Sequence, residues 1–282
     1  MGRRHWCSSG HVHHRGQYQD LDRDGNIPER RRIGANKLRH LLVAVQFLTV
    51  IPISHRLRMT DEDLGRSMAY FPLVGLLLGG ILYGLSQAIV LIFPERIADL
   101  GCVAALVLLT GGLHLDGLAD TTDAFFSRES RQRMLEIMRE SQIGAMGATA
   151  IVFALLLKLE LLSGLSHQIK RTTLILMPVV ARWSVVFQAA MLPYARASQG
   201  LGTAFTRYAG SREASLSTLF TLLIVLGLRQ LRGLWSMAFA LLLSLLFAQY
   251  TRQKTGGATG DTMGAGIEIA EIAALAAGYI NL

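Results

Sequence analysis

Met68-Ala-Tyr-Phe-Pro-Leu-Val-Gly-Leu-Leu-Leu-Gly-Gly-Ile-Leu-Tyr-Gly-Leu-Ser-Gln-Ala-Ile-Val-Leu-Ile-Phe93 contains no Asp, Glu, Lys or Arg. A helix rises 1.5 Å per residue, so about 20 apolar residues cross a hydrocarbon core of about 30 Å. This stretch is long enough, and it has company. Runs nearly free of charge recur at about 98–115, 144–165, 172–192, 214–228 and 233–250. A last apolar helix, at roughly 264–280, carries Glu268 and Glu271 on one face. The run at 41–53 is only 13 residues and is broken by Pro52, which reads as a re-entrant or interfacial helix. The expected fold is all-α: a polytopic integral membrane helical bundle of about six to seven spans plus that N-terminal helix.

Composition agrees. Hydrophobic residues make up 51% of the 282 and charged residues 17%, against about 25% charged in a soluble domain. The net charge of +8 is concentrated at the start, where residues 1–40 hold nine Arg and Lys against four acids. A basic flank beside apolar spans points to anionic lipid or a cytoplasmic location. No basic groove interleaved with aromatics follows, so nucleic acid is not an expected partner. Residues 1–34 are polar, rich in Arg and His and without an apolar core, so they read as a flexible extension and not a secretory signal. The rest, 35–282, reads as one membrane-embedded catalytic domain. Cys7 and Cys102 are too isolated to define a disulfide framework or a metal site.

Parity gives a topology. Two spans separate the polar segment 116–143 from 193–213, and two more separate that from 251–264, so all three share a side. Together they hold nine positive residues, Arg128, Arg131, Arg133, Arg139, Arg196, Arg207, Arg212, Arg252 and Lys254. The opposite connections hold five, Arg96, Lys170, Arg171, Arg229 and Arg232. The excess of positive charge places the three polar loops in the cytoplasm, with the chain in the cell (inner) membrane.

Those loops carry the chemistry. In Thr110-Gly-Gly-Leu-His-Leu-Asp-Gly-Leu-Ala-Asp-Thr-Thr-Asp-Ala124, three acids are spaced i, i+4, i+7 and share one helix face. Asp116, Asp120 and Asp123 would repel one another unless a divalent cation sat among them. Mg²⁺ is a hard ion that bridges one or two carboxylates to substrate phosphates. The competing reading is a solvated acidic helix start. His114 reads equally as an acid/base group or a packing histidine. Met138-Arg-Glu-Ser-Gln-Ile-Gly144 offers Arg139 and Ser141 to a phosphate, with Arg133 nearby; a basic surface helix is the alternative. Gly256-Gly-Ala-Thr-Gly-Asp-Thr-Met-Gly264 enters a helix with Thr259 and Asp261, followed by Glu268 and Glu271, and its backbone N–H groups could hold phosphate oxygens.

Some patterns mislead. Asp20-Leu-Asp-Arg-Asp-Gly-Asn-Ile27 imitates a calcium loop, but Arg31 stands where a bidentate acid is needed. His11, His13 and His14 read as a flexible tail. Arg182, inside an apolar run, requires a partner or a polar cavity, whereas Lys158 and Glu160 read as an interfacial span end.

Gly-Gly-Leu-His-Leu-Asp-Gly-Leu-Ala-Asp at 111–120, Glu-Ile-Met-Arg-Glu-Ser-Gln-Ile-Gly-Ala at 136–145 and Thr-Gly-Asp-Thr-Met-Gly-Ala at 259–265 resemble the adenosylcobinamide-GDP ribazoletransferase (cobalamin 5′-phosphate synthase) family. Phe47-Leu-Thr-Val-Ile-Pro52, Phe71-Pro-Leu-Val-Gly-Leu76 and Pro193-Tyr-Ala-Arg196 fit in the same order, and the likeness runs from about Leu38 onward. The resemblance implies a Mg²⁺-dependent, membrane-embedded transferase. The ribose hydroxyl of α-ribazole or its 5′-phosphate would attack a corrinoid, GDP-activated adenosylcobinamide, and release GMP. It implies Asp116 and Asp120 as metal ligands, Asp123 as a third ligand or outer group, Arg139 and Arg133 on the leaving group, and Asp261 completing the site. Membrane lipid is the other expected partner, with a homo-oligomer left open. A CDP-alcohol phosphotransferase-like lipid enzyme fits less well, because Asp120 falls where its pattern departs. A cation-coupled transporter would place its acids at mid-membrane.

Overall fold

The computed structural model describes residues 29–53, 59–196 and 201–281. The expectations made for the calcium-like pattern, the histidines and Cys7 lie outside the described residues. The chain divides into residues 1–39 and 40–282. In the first unit the described part is helical from Glu29, so helix begins inside the stretch read as a flexible extension.

Twelve α-helices are described. They are α1 (Glu29–Leu48), α2 (Asp61–Ser67), α3 (Phe71–Ile89), α4 (Glu95–Leu109), α5 (Leu113–Phe126), α6 (Arg131–Ile137), α7 (Ala145–Ser163), α8 (His167–Met191), α9 (Leu201–Tyr208), α10 (Ser211–Arg229), α11 (Leu234–Thr255) and α12 (Gly260–Ala277). Among the described residues there is no strand, only an isolated bridge between Tyr194 and Ala258. Six helices are long and apolar enough to cross a membrane, and a seventh span is possible if α4 and α5 count as one bent pair. This is a polytopic helical membrane bundle.

Sequence and structure differ at the boundaries. The first span starts earlier, at Asp61, because a capping box between Thr60 and Asp63 opens a helix there: Thr60 Oγ1 accepts from the Asp63 N–H at 3.1 Å and the Asp63 carboxylate accepts from the Thr60 N–H at 3.2 Å. Of the run expected as a short helix at 41–53, residues 41–48 are the end of the longer α1, which is not among the crossing helices, and 49–53 lie beyond its end. The span expected at 98–115 stops at Leu109. Gly111 and Gly112 take φ of +62° and +71°, a region open to glycine at no steric cost, and α5 leaves α4 at 84°. The segment expected as a loop at 116–143 is mostly helix, in α5 and α6.

Burial ranks the spans. The apolar windows of α8 and α12 are 78% and 72% enclosed, against 22% for α7 and α10. So α8 and α12 form the centre, and α7 and α10 turn most of their apolar surface outward. Val74, Leu78 and Leu82 of α3 join Leu174, Leu176 and Met177 of α8 in the main core.

A charged knot lies inside this core. Lys158 of α7, Arg182 of α8 and Glu268 and Glu271 of α12 are 2%, 0%, 4% and 0% exposed. Lys158 Nζ donates to Glu268 at 2.7 Å and also to Glu271, and Arg182 donates to Glu271. Two cations and two anions cancel, which makes their burial tolerable. Arg182 thus has the partner its position demanded. Lys158 does not mark an interfacial end: i+3 spacing of the two glutamates on α12 draws it into the bundle. Glu160 does lie exposed, paired with Arg96 at 2.6 Å.

Connections gather as parity required. Glu95, Asp99, His167 and Lys170 form one ion-pair cluster between the starts of α4 and α8, with Arg96–Glu160 beside it. The segments after α5, α8 and α11 meet elsewhere: Ala195 N–H donates to the Ala258 carbonyl at 2.9 Å, and Lys254 Nζ donates to the Phe125 carbonyl at 3.3 Å.

Candidate active site

The site is built where α5 crosses α12. A Cβ added to Gly117 would stand 2.7 Å from the Asp261 carbonyl oxygen, so only glycine lets the two backbones approach this closely. That contact brings the acids of α5 beside Asp261, which the capping box of Thr259 and Thr262 fixes in the first turn of α12.

Asp116, exposed, and Asp120 and Asp261, half-buried, line an open cavity of about 500 Å³. Its other side is formed by Met138, Arg139, Glu140, Ser141 and Gln142 from the segment after α6, with Ile143 and Ile151. The charges of Asp116, Asp261 and Asp123 all bear on Asp120, opposed by Arg196.

Asp123 is differently employed. Its two carboxylate oxygens accept from the Gly144 and Gly147 N–H groups at 2.7 and 2.8 Å, satisfying donors at the start of α7. It anchors the wall that carries Arg139 and Ser141, and it does not line the cavity.

The remaining expected residues divide. Arg139 and Ser141 line the cavity and are exposed. Arg133 is exposed and held by Glu136 at 3.3 Å and Glu140 at 2.8 Å, and these carboxylates push its pKa up. It reaches the cavity only through Glu140. Thr259 is buried, and its hydroxyl stands 3.2 Å from Asp261 Oδ2. Glu268, expected at the substrate, is instead committed to Lys158 in the buried knot. His114 is buried, is absent from the open cavity and lines a second, apolar one.

Sequence reasoning left Arg196 out of the site. Its Nη2 donates to Asp261 Oδ2 at 2.8 Å, placed there by the bridge that ties Tyr194 to Ala258. Those partners lie 65 residues apart, and only its place in the Pro-Tyr-Ala-Arg motif hinted at a role.

A divalent cation fits these donors in one way only. Among the described residues no three His, Cys, Asp or Glu are gathered closely enough to cage a metal. Asp116 and Asp120 are hard oxygen donors facing open space, which suits an ion held by one or two carboxylates and completed by substrate phosphates.

Fold and site together define a multi-pass membrane enzyme whose acidic helix faces a cationic, hydroxyl-bearing wall. The model of the cobalamin-5-phosphate synthase family matches residues 40–279, and the chain belongs to that family. It is 42% identical over 238 residues to the adenosylcobinamide-GDP ribazoletransferase of Geotalea daltonii, covering 84% of this chain and 96% of the relative. The enzymes of the same name from Acetivibrio thermocellus and Roseiflexus sp. are each 38% identical, over 82% and 83% of this chain and 94% and 86% of their own lengths. No solved structure matches the chain significantly.

Proposed function

We propose that this chain joins GDP-activated adenosylcobinamide to α-ribazole or its 5′-phosphate, releasing GMP and closing the nucleotide loop of the corrinoid. The observation that carries the reading is the meeting, across one cavity, of Asp116, Asp120 and Asp261 with Arg139 and Ser141 in a member of this transferase family. The ribose oxygen forms a bond to the phosphorus next to the aminopropanol arm. The bridging P–O bond of the diphosphate breaks, and the electron pair leaves on GMP. The hydroxyl proton passes to a carboxylate of the cluster.

Such phosphoryl transfer is governed by positioning and charge neutralisation. Asp116 and Asp120 would hold Mg²⁺, which supplies charge neutralisation at the diphosphate. Arg139 and Ser141 bind the departing phosphate, and Arg196 keeps Asp261 oriented. Arg133 acts behind them by fixing Glu140. The three polar connections face the cytoplasm of the inner membrane in this reading, as their surplus of positive charge supports. The lipid-enzyme and transporter alternatives draw no support from the relatives.

Purified protein in detergent, given activated cobinamide, ribazole phosphate and Mg²⁺, is expected to release GMP in step with nucleotide-loop closure. GMP-free mixtures at every Mg²⁺ concentration would refute the assignment.

A further inference from the structure

The turn between α10 and α11 carries positive charge that nothing in the chain balances. α10 ends at Arg229, a 3-10 turn spans Gln230–Gly233, and α11 begins at Leu234. Both helices are among those long and apolar enough to cross a membrane, so Arg229 and Arg232 sit where two spans meet, at the depth of lipid headgroups. From residue 214 to residue 260 the sequence contains no Asp or Glu. Among the described residues no acid offsets Arg229; the one charge that bears on it is that of Arg232. Other cations on the same side of the bundle are matched, Arg96 by Glu160 and Lys170 by Glu95 and Asp99.

Arg232 is exposed, whereas Arg229 is half-buried. A Cβ on Gly233 would stand 3.1 Å from Arg229 Cβ, so this glycine lets the turn close against the arginine's stem. One guanidinium nitrogen, Nη1, is enclosed without a hydrogen-bond partner, while Nε and Nη2 are not enclosed. A long arginine near a span end ordinarily carries its whole head into the headgroups. This one keeps a closed edge. Its charge is shared over the guanidinium plane, so an anion at the open edge offsets water lost at the closed one. The neighbours identify what carries that anion. Leu231 is 73% exposed, Trp235 56% and Leu228 38%. Exposed leucines at a span end meet acyl chains, and a tryptophan there belongs at the glycerol level. A free phosphate would use the two guanidinia and none of these three side chains.

We propose that the turn between α10 and α11 binds an anionic phospholipid in the leaflet opposite the active site. The phosphodiester bridges Arg232 and the open edge of Arg229, and the chains lie along Leu228, Leu231 and Trp235. α11 runs from this turn to Lys254, which donates to the Phe125 carbonyl at the end of α5. A lipid here therefore steadies the far end of a helix whose near end is tied to the helix of the acidic cluster.

The test takes the full chain in detergent, adds phosphatidylglycerol or phosphatidylcholine with the same acyl chains, and reads retained lipid by native mass spectrometry. Phosphatidylglycerol should be held in preference to phosphatidylcholine. One basic side chain at a membrane surface strengthens anionic-lipid binding about 5-fold, so Arg229→Gln and Arg232→Gln should each weaken retention by about that factor, and the two together by about 25-fold. Arg232→Lys keeps the charge without the two-pronged geometry and should fall between native and Arg232→Gln. Arg171→Gln removes an exposed cation from the same side of the bundle and should change retention little. Equal retention of the two lipids overturns the proposal. So does a loss in Arg171→Gln as large as in Arg229→Gln, which would reduce the effect to diffuse attraction. Displacement of the lipid by inorganic phosphate, but not by chloride at equal ionic strength, overturns it too and leaves a site for free anions. Arg232→Gln alters an exposed side chain and decides the matter if Arg229→Gln does not fold. The readout needs no turnover, so it stands or falls separately from the transferase reading.

Discussion

At the scale of single residues, three aspartates on one helix face do two different jobs. Asp116 and Asp120 look into the open cavity, whereas Asp123 is spent on backbone N–H groups. Asp116→Asn and Asp120→Asn keep shape and remove a charged oxygen, so each should lower turnover on the order of 100- to 1000-fold. Thermal stability should hold or rise, because repulsion on Asp120 is relieved; a melting curve beside the kinetics separates the two effects. Near-normal turnover in either variant would return this face to a solvated helix start. Asp123→Asn behaves otherwise. It turns an amide donor toward one of two backbone donors, a loss of about 1–3 kcal/mol. Its melting midpoint should fall, and added Mg²⁺ should not restore activity, whereas rescue by Mg²⁺ would make it a ligand after all. The local spacing made the acidic face legible in sequence. It could not say which acid a turn 21 residues downstream would claim.

At the scale of elements, what decides the site is the packing of α5 on α12, and what holds α12 is the charged knot. Lys158 was misread from sequence because its partners lie 110 and 113 residues away, and a lone lysine near a span end looks interfacial. Arg182 was read correctly because no interface was near enough to excuse it. The bend between α4 and α5 was half legible: two adjacent glycines were visible, but hydropathy alone ran the span on to residue 115. Lys158→Met should be severe. It leaves Glu268 buried without its cation, at a cost of about 3–5 kcal/mol. Lys158→Met with Glu268→Gln should recover much of that loss, since the double variant restores neutrality. A single variant that melts like the native protein would show that the pair contributes nothing to holding α12. Recovery of stability without activity would place the knot in positioning.

At the scale of the whole molecule, the apolar runs and the alternation of connections were plain in the sequence, because a bilayer leaves helices few options. Helix ends were not, because they depend on capping and glycine conformation. The structure groups the connections without saying which group faces the cytoplasm; loop charge does. Nine positive residues on the three active-site connections against five on the opposite ones predict that this side is cytoplasmic. Cysteines test this where side chains are exposed. Thr262 is only 1% exposed and would label poorly on either side, so the reporters belong at Glu129 and Gln253 on the active-site side and at Arg96 and Leu231 on the other. In a chain lacking Cys7 and Cys102, an impermeant thiol reagent added to intact cells should reach Arg96→Cys and Leu231→Cys and leave Glu129→Cys and Gln253→Cys unlabelled until the membrane is opened. Glu129 and Gln253 must agree with each other, since an even number of spans separates them. If they split, the count of spans fails, and with it the meeting of Asp261 with Asp116. If they agree but label from outside, the bundle stands inverted. The activated corrinoid and the nucleoside would then have to reach the acids from beyond the membrane, where neither a nucleotide-activated substrate nor released GMP has a ready supply or sink.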